Sequence, residues 1–490
     1  MKRAGGVVLP LLEAPGPPAP SLRVDVYGRI RGAILEGRLA PGVRLPSTRT
    51  LAGELGLSRT TAEEAYGQLV AEGYVARRVG DGTYVSSTLP ARRTGAGRPA
   101  AARTPPLSRR GRAIGGAPAC LDVPGEAVPF RAGHPDPALF PLDVWQRLAA
   151  RRMRRGGRAL LGYGEAAGLA ELRAALADHL ATYRGVRCTP GQIVILSSSQ
   201  QALDLAARLT LDAGDAAWME DPGYPGARGA LELAGAQLVP VPVDGEGMAV
   251  DEGRRRAPQA KLVYVTPSHQ WPLGSTLALH RRLALIAWAR SAGAWIVEDD
   301  YDAALRYSGR PVAAVQGLDP DARVVYVGTF TKLIFPSLRL AWVVLPESLV
   351  EPFVHARRLM DGHPPGIAQA VAADFLAGGH LAGWIRRLRA ACAERREALV
   401  EALGSELAGV AIPVGAEAGL HLSVELHGAD EREVSRRALA LGVDAPALGS
   451  FRLERRGPGG LVLGFAALSP ERIRAGVKVL ARAVGRAARR

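Results

Sequence analysis

The sequence predicts a multidomain chain, in which a small N-terminal α+β domain is followed by a large α/β domain with a mostly parallel sheet. Its 490 residues are enough for two to four ordinary domains. Between Ser86 and Pro118 it has seven arginines, no acidic residue and little to bury, so this stretch separates two compact regions. Beyond it, short apolar runs alternate with longer amphipathic stretches, as in a parallel sheet covered by helices. We place the small domain at residues 20–86, a flexible basic linker at 87–125 and the large domain at 126–490, with a smaller α+β subdomain from about residue 346.

Charge and cysteine content narrow the class of protein. Residues 1–112 hold 18 Lys and Arg against 8 Asp and Glu, which is +10 of the net charge of +15. That imbalance favours a polyanionic partner for the N-terminal part, although a merely solvated basic surface would give the same count. Three widely spaced cysteines suit neither a disulfide framework nor a zinc cluster. No apolar stretch is long enough to span a membrane, and Pro10 breaks the N-terminal apolar run, so we expect a cytoplasmic protein with no membrane partner.

The pattern of the small domain predicts three helices and a hairpin. LRVDVYGRIRGAILEG has Tyr27, Ile30 and Ile34 at helical spacing, while the next two helical stretches begin with the capping residues Ser47 and Ser58. YVARRVGDGTYV alternates and turns at Gly-Asp-Gly, which predicts a hairpin. Two helices joined by a glycine-containing turn favour a helix-turn-helix that reads the major groove, with the hairpin as a wing. A generic three-helix domain is the alternative.

Polar side chains at the start of the third helix and on the hairpin are the candidates for DNA contacts. The pattern leaves exposed Arg59, Thr60 and Thr61 on the helix, and Arg77, Arg78 and Thr83 on the hairpin. From Val24 to Val85 the sequence resembles the winged helix-turn-helix of the GntR regulators almost without gaps. The resemblance implies binding to double-stranded operator DNA, and it adds as contact residues Arg44, Ser47, Arg49, Ser58 and the wing glycine Gly82.

In the large domain, five short apolar runs end in polar or small residues. They are QIVIL before Ser197, AAWME before Asp221, KLVYV before Thr266, AWIV before Glu298 and VVYVG before Thr329. Ligands of parallel sheets bind beyond the carboxyl ends of the strands, so we expect the site there.

Three residues at these strand ends suit a pyridoxal cofactor. Lys332 follows the last run beside an apolar segment, and a desolvated lysine forms an imine with an aldehyde. Asp299 would pair with a protonated pyridine nitrogen, and the phenol of Tyr301 with the ring oxygen beside the aldehyde. Taken singly, each has an ordinary explanation: a surface lysine, a helix-capping aspartate and a core tyrosine.

Further residues suit the phosphate and the ring of the same cofactor. Ser198, Ser199 and Gln200 lie where a helix begins, and helix N-termini attract anions, although serines there also serve as simple caps. Thr329 and Arg339 would add a hydroxyl and a permanent cation. Two tyrosines in glycine-containing turns offer a ring for stacking and a phenol for the phosphate, respectively Tyr224 and Tyr163.

The order of DPGYPG, TPSHQWPLG, EDDYDAALRY and GTFTKLIFPSLRL resembles the fold-type I aminotransferases and, more closely, the MocR group of GntR regulators. The resemblance covers essentially Phe130 to Leu463. It implies pyridoxal 5′-phosphate as cofactor, with Lys332 as the catalytic Schiff-base lysine, and we include His269 among the cofactor-binding residues. It also implies a homodimer, because Tyr163 commonly reaches the phosphate of the partner subunit in this fold.

Two departures from the aminotransferase pattern bear on activity. Trp271 stands where aminotransferases usually carry an asparagine that bonds the ring oxygen. The last apolar run, GLVLGFAAL, lacks the arginine that many such enzymes use for a substrate carboxylate, and only Arg452, Arg455 and Arg456 are near it in sequence.

Together these features predict a transcriptional regulator that depends on pyridoxal phosphate. We expect a homodimer that carries the cofactor as an aldimine on Lys332 and senses pyridoxal phosphate, an amine or an amino acid, in control of vitamin B6 synthesis or amine metabolism. No metal site is expected. The main alternative is an active aminotransferase with an attached DNA-binding domain, because Lys332, Asp299 and Tyr301 are intact. A large domain that binds no cofactor and only dimerises is the third.

Overall fold

The structure, a computed structural model, describes residues 22–87, 106–116, 128–307, 312–415, 417–454 and 457–487. It divides the chain into two compact units, Met1–Pro106 and Leu107–Arg490. Most of the predicted linker, 88–105 and 117–125, lies outside the described residues, but within it Arg109–Gly116 is helical. Among the described helices, none has both the length and the apolar character to cross a membrane.

The N-terminal unit has the predicted three helices and hairpin. Its elements are α1 (Leu22–Leu35), α2 (Thr48–Glu54), α3 (Arg59–Ala71), β1 (Val75–Arg78) and β2 (Gly82–Val85). The predicted caps are present: the hydroxyl of Ser47 accepts from the backbone N–H of Thr50 at 3.1 Å, and that of Ser58 from Thr61 at 3.0 Å. Each cap contributes about 1 kcal/mol to the stability of its helix.

The core of this unit lies where α3 packs against α1 and α2. Ile30, Leu51, Ala62 and Leu69 are completely buried there. Burial of each large apolar side chain contributes roughly 1.5–3 kcal/mol, which stabilises the packing of α3 against α1 and α2. The start of α3 stays outside this core, because Arg59 and Thr60 are exposed.

The large unit contains thirteen of the described helices and eleven of the described strands. The helices are α4 (Arg109–Gly116), α5 (Leu142–Gly156), α6 (Ala170–Arg184), α7 (Ser199–Thr210), α8 (Pro225–Ala234), α9 (Val250–Arg256), α10 (Leu279–Ala292), α11 (Val315–Leu318), α12 (Glu347–Asp361), α13 (Gly366–Ala377), α14 (His380–Glu406), α15 (Glu431–Ala440) and α16 (Pro470–Ala487). The strands are β3 (Ile193–Leu196), β4 (Ala216–Asp221), β5 (Gln237–Asp244), β6 (Gly247–Met248), β7 (Leu262–Val265), β8 (Trp295–Asp300), β9 (Val324–Thr329), β10 (Ala341–Val344), β11 (Ala411–Val414), β12 (His421–Leu426) and β13 (Gly460–Gly464).

Within the described residues, eight strands form one mixed, mostly parallel sheet in the order β3-β10-β9-β8-β7-β4-β5-β6. The pairs from β9 through β5 are parallel, whereas β10 is antiparallel to both of its neighbours. Because β10 reverses the direction twice, β3 runs parallel to β9. The carboxyl ends of β3, β9, β8, β7 and β4 therefore meet at one edge, and these are the five predicted runs.

A smaller antiparallel sheet, β11-β12-β13, forms the C-terminal subdomain and packs with α14, α15 and α16. The predicted fold class is thus confirmed. Two segments are placed differently from the expected division near residue 346: α13 packs on α5 and α6, and Phe130 pairs with Gly464 of β13. Both placements depend on contacts between segments far apart in sequence, which local patterns do not encode.

Candidate functional site

The carboxyl edge of the large sheet gathers the predicted site residues. Asp299 belongs to β8 and lies beside Val327 of β9, while Thr329 ends β9 and pairs with Ala341 of β10. Ala341 in turn pairs with Leu196, the last residue of β3 before the predicted phosphate cradle. The register therefore brings the lysine segment, the aspartate and the serines to one edge, as the strand ends predict.

Asp299 is a buried carboxylate with one unused oxygen. The side chain is 5% exposed, and its Oδ2 accepts a hydrogen bond from the phenol of Tyr264 at 2.9 Å. Its Oδ1 has no hydrogen-bond partner among the described residues. Burial raises the pKa of Asp299 to about 7, against the hydrogen bond from Tyr264 and the positive charge of Lys332, which lower it. Such a carboxylate suits a cationic N–H donor, because a partner charge would offset the cost of its burial.

Lys332 lies in the turn after β9, half-buried, and its Nζ donates a hydrogen bond to the carbonyl oxygen of Gly133 at 2.8 Å. Gly133 has φ +85°, and a Cβ at that position would lie 2.8 Å from the same Nζ. A side chain at position 133 would therefore clash with the amine of Lys332. Gly133 was not predicted from the sequence, because 199 residues separate it from Lys332.

Tyr301 is joined to a buried histidine–aspartate pair. Its hydroxyl lies 3.0 Å from Nδ1 of His269, and the same nitrogen lies 3.0 Å from Oδ2 of Asp302. His269 and Asp302 are 2% and 1% exposed, and burial raises the pKa of Asp302, with His269 opposing. His421 of β12 completes a group whose potential ligand atoms lie within 4.8 Å of one another. The sequence placed His269 at the site but did not predict Asp302 or His421. Asp302 directly follows the predicted Tyr301, whereas nothing local indicates that β12, which carries His421, reaches this edge.

An aromatic cluster covers the same edge. Tyr224 precedes α8, and its ring centroid lies 6.4 Å from that of Trp271, with the planes at 84°. The ring of Trp271 is also edge-on to Tyr301, at 6.2 Å and 79°. The geometry leaves Tyr224 in the same cluster as Tyr301, as expected for a ring that stacks on a flat ligand.

The predicted phosphate cradle has the geometry of a capped helix N-terminus. Ser198 caps the 12-residue helix α7 by accepting from the backbone N–H of Gln201 at 3.2 Å. The side-chain amide of Gln200 donates instead to the carbonyl of Gly226 at 2.8 Å, which joins the starts of α7 and α8. The first turn of a helix leaves backbone N–H groups for an anion, so Ser199 and Gln200 offer their backbones here.

The other three predicted phosphate residues, Thr329, Arg339 and Tyr163, are not part of the start of α7. Thr329 is buried, and its hydroxyl accepts from the backbone N–H of Thr331 at 3.1 Å. Arg339 is exposed and adopts φ +52°, a left-handed conformation that is uncommon outside glycine. Tyr163 is fully exposed in the single chain, with its ring edge-on to His363 at 6.0 Å. The structure does not pack Tyr163 against the other predicted site residues.

In the N-terminal unit, the predicted DNA contacts form two groups. Arg49, Ser58, Arg59 and Thr60 are exposed on α2 and at the start of α3, with Thr61 half-buried beside them. The wing is held by contacts with the rest of the N-terminal unit. Arg44 donates to the carbonyl of Asp81, and Arg77 pairs with Glu63 of α3 at 3.4 Å. The carbonyl of Thr83 accepts from the backbone N–H of Leu45 at 2.8 Å. Gly82 has φ +139°, and a Cβ there would lie 2.9 Å from Nε of Arg44. The structure therefore gives Arg44 and Gly82 a role in shaping the wing.

Comparisons with known proteins match both units. Residues 22–85 match the model for bacterial regulatory proteins of the gntR family, and residues 131–480 match that for class I and II aminotransferases. The chain is 39% identical to the "Probable rhizopine catabolism regulatory protein MocR" of Rhizobium meliloti, over 93% of this chain and 92% of that one. It is 30% identical to the pyridoxine biosynthesis transcriptional regulator PdxR of Corynebacterium glutamicum, over 95% and 96%.

Among solved structures, the large unit is similar to the α-aminoadipate aminotransferase of Thermus thermophilus complexed with N-(5′-phosphopyridoxyl)-L-leucine. The TM-score is 0.68 at 31% identity, over 73% of this chain and 92% of the other. A GntR helix-turn-helix and an aminotransferase domain thus occur in one chain, and the similarity to the regulatory relatives covers 93% to 95% of it. The chain therefore belongs to the MocR-type GntR family of transcriptional regulators.

Proposed function

We propose that the chain is a regulator that binds operator DNA through its N-terminal unit and holds pyridoxal 5′-phosphate on Lys332. The observation that carries the proposal is the unpaired Oδ1 of the buried Asp299, at the same sheet edge as Lys332. A protonated pyridine nitrogen would supply the missing donor and the missing positive charge. The family to which the large unit belongs uses this cofactor, and the Thermus relative is complexed with a phosphopyridoxyl compound.

Each part of the cofactor would have a partner in this chain. Lys332 would hold the aldehyde, Tyr301 would contact the ring oxygen with His269 behind it, and Tyr224 would stack on the ring. The phosphate would be held by Ser198, Ser199, Gln200, Thr329 and Arg339. Tyr163 would add its phenol from the second subunit of a homodimer, which agrees with its exposure in one chain.

Bound pyridoxal phosphate supplies an aldehyde that reacts with amines. An effector amine or amino acid would compete with Nζ of Lys332 for it, and the lysine amine would then be released. A ligand shifts DNA binding only by its differential affinity for two arrangements of the protein, typically about fivefold to 150-fold. The names of the relatives point to rhizopine catabolism and to pyridoxine biosynthesis, so we propose amine metabolism or vitamin B6 synthesis as the controlled pathway.

Visible absorption tests the cofactor proposal. Wild-type protein should develop a visible band on addition of pyridoxal phosphate, and Lys332→Ala should not. Lys261→Ala is the matched control, because Lys261 is exposed and lies before β7, outside the predicted site. The absence of a band in the wild type would support the third possibility, a large unit without cofactor. An unchanged band in Lys332→Ala would overturn the assignment of the cofactor to Lys332.

An active aminotransferase is the second candidate, since Lys332, Asp299 and Tyr301 are all present in the chain. No arginine lies on β13, and Arg452, near it in sequence, donates to the carbonyl of Pro458 at 2.9 Å. Arg455 and Arg456 lie outside the described residues. Incubation with amino acids and a keto acid distinguishes the two functions, because multiple turnovers of new amino acid would establish the enzyme.

A further inference from the structure

The turn that carries Trp271 is held rigidly by hydrogen bonds. The backbone N–H of Trp271 donates to Oγ1 of Thr266 at 3.0 Å, and the carbonyl of Pro272 accepts from Oγ of Ser423 at 2.8 Å. Nε2 of His421 lies 3.2 Å from the same carbonyl. The end of β7 and strand β12 therefore hold the backbone of this turn in place.

The indole lies among the residues proposed to hold the cofactor. Its ring is edge-on to Tyr224 and Tyr301, at 6.4 Å and 6.2 Å, and its centroid lies 4.4 Å from that of His421. Phe451 is edge-on to it at 5.8 Å. Aromatic rings thus surround the indole, and among the described residues none accepts a hydrogen bond from its N–H.

Nε1 of Trp271 is buried and has no hydrogen-bond partner among the described residues. An indole N–H only donates, and a buried donor without an acceptor is costly. The missing acceptor is best supplied by a ligand beside Tyr301 and Tyr224.

We propose that the indole N–H of Trp271 donates a hydrogen bond to the ring oxygen of pyridoxal phosphate next to the aldehyde. The inference rests on the proposed function and assigns a further cofactor-binding residue. The ring oxygen is the natural acceptor because it carries negative charge and lies, by the same proposal, against Tyr301. Trp271 would then take the part of the asparagine that aminotransferases usually carry before this proline.

Three variants of the loaded protein test this assignment. Trp271→Phe keeps an aromatic ring and removes the N–H, and Trp271→Asn restores a donor. Trp342→Phe is the control, since Nε1 of Trp342 is likewise buried without a described partner but its ring packs on Phe330 at 4.7 Å in the core. The readout is the pH midpoint of the visible band after loading with pyridoxal phosphate.

Trp271→Phe should raise this midpoint by about one pH unit. When Nζ of Lys332, bonded to the cofactor, loses its proton, the negative ring oxygen loses a neighbouring positive charge and depends more on the hydrogen bond from Trp271. Removal of the indole N–H therefore disfavours this proton loss and raises the midpoint. Trp271→Asn should return the midpoint toward the wild-type value, and Trp342→Phe should leave it unchanged.

A wild-type midpoint in Trp271→Phe, or an equal shift in Trp342→Phe, would overturn the assignment. A Trp271→Phe protein altered only in its response to added amino acids would overturn it too, because the indole would then contact the effector. If the wild type itself gives no band, the proposed function fails and this inference fails with it. A normal wild-type band with an unshifted Trp271→Phe refutes the inference alone.

Discussion

At the scale of single residues, Asp299 shows how burial prepares a site for a cation. Its pKa is raised from 3.8 to about 7, so the folded protein without cofactor binds a proton there more tightly than the unfolded chain. The stability that Asp299 contributes is therefore complete below pH 4 and is lost as the pH rises through 7.

Asp299→Asn removes this titration. In cofactor-free protein the variant should gain stability over the wild type as the pH rises from 4 to 8, by roughly 2–4 kcal/mol at the upper end. Glu220 and Glu298 have pKa values raised by burial to about 7 as well, and the charge of Asp299 contributes to the shift of Glu220. The difference between variant and wild type therefore reports Asp299 together with its coupling to Glu220. Urea unfolding at several pH values measures it; a difference that does not change with pH would contradict the account.

Pyridoxal phosphate should stabilise the wild type more than Asp299→Asn, because a neutral amide does not balance a protonated ring nitrogen. Thermal unfolding with and without pyridoxal phosphate checks this. Equal stabilisation of both proteins would remove Asp299 from the site.

Gly133→Ala tests the contact between Gly133 and the amine of Lys332. A Cβ at Gly133 would lie 2.8 Å from Nζ of Lys332, and φ is +85°. The control is Gly293→Ala, where φ is +64° and nothing lies within 4 Å of a Cβ. Both variants should lose about 1 kcal/mol of stability from backbone strain. Only Gly133→Ala should also weaken formation of the visible band, and equal bands in the two would contradict the contact.

At the scale of elements, helix α3 is the proposed reader of DNA. Arg59→Ala should weaken binding to DNA from upstream of the chain's own gene. If Arg59 contacts a base, the loss should be about 1–3 kcal/mol. If it contacts a phosphate, the slope of log affinity against log salt concentration should fall by about one. Arg38→Ala is the control, because Arg38 lies outside the predicted interface and pairs with Glu36 at 2.7 Å. Fluorescence anisotropy over a salt series measures both, and salt-independent binding would contradict the assignment.

Most elements near the site were predictable because they carry local signals. The caps at Ser47 and Ser58, the Gly-Asp-Gly turn of the wing and the five apolar runs all correspond to observed elements. The direction of β10 was not predictable, because Ala341–Val344 is buried throughout and an apolar run looks the same in either direction. Gly133 and His421 escaped prediction because only long-range packing brings them to Lys332 and Tyr301. Asp302 is adjacent to Tyr301, but its contact with the distant His269 has no local signal.

At the scale of the whole molecule, the two units have separate chemistry, and the central claim is that ligands of one change the DNA affinity of the other. Anisotropy with operator DNA, in the presence and absence of pyridoxal phosphate, tests it in the wild type, Lys332→Ala and Lys261→Ala. The account predicts a change in affinity of about fivefold or more for the wild type and Lys261→Ala, and none for Lys332→Ala. The same affinity with and without pyridoxal phosphate in the wild type, at a concentration that gives the full visible band, would contradict sensing of the cofactor.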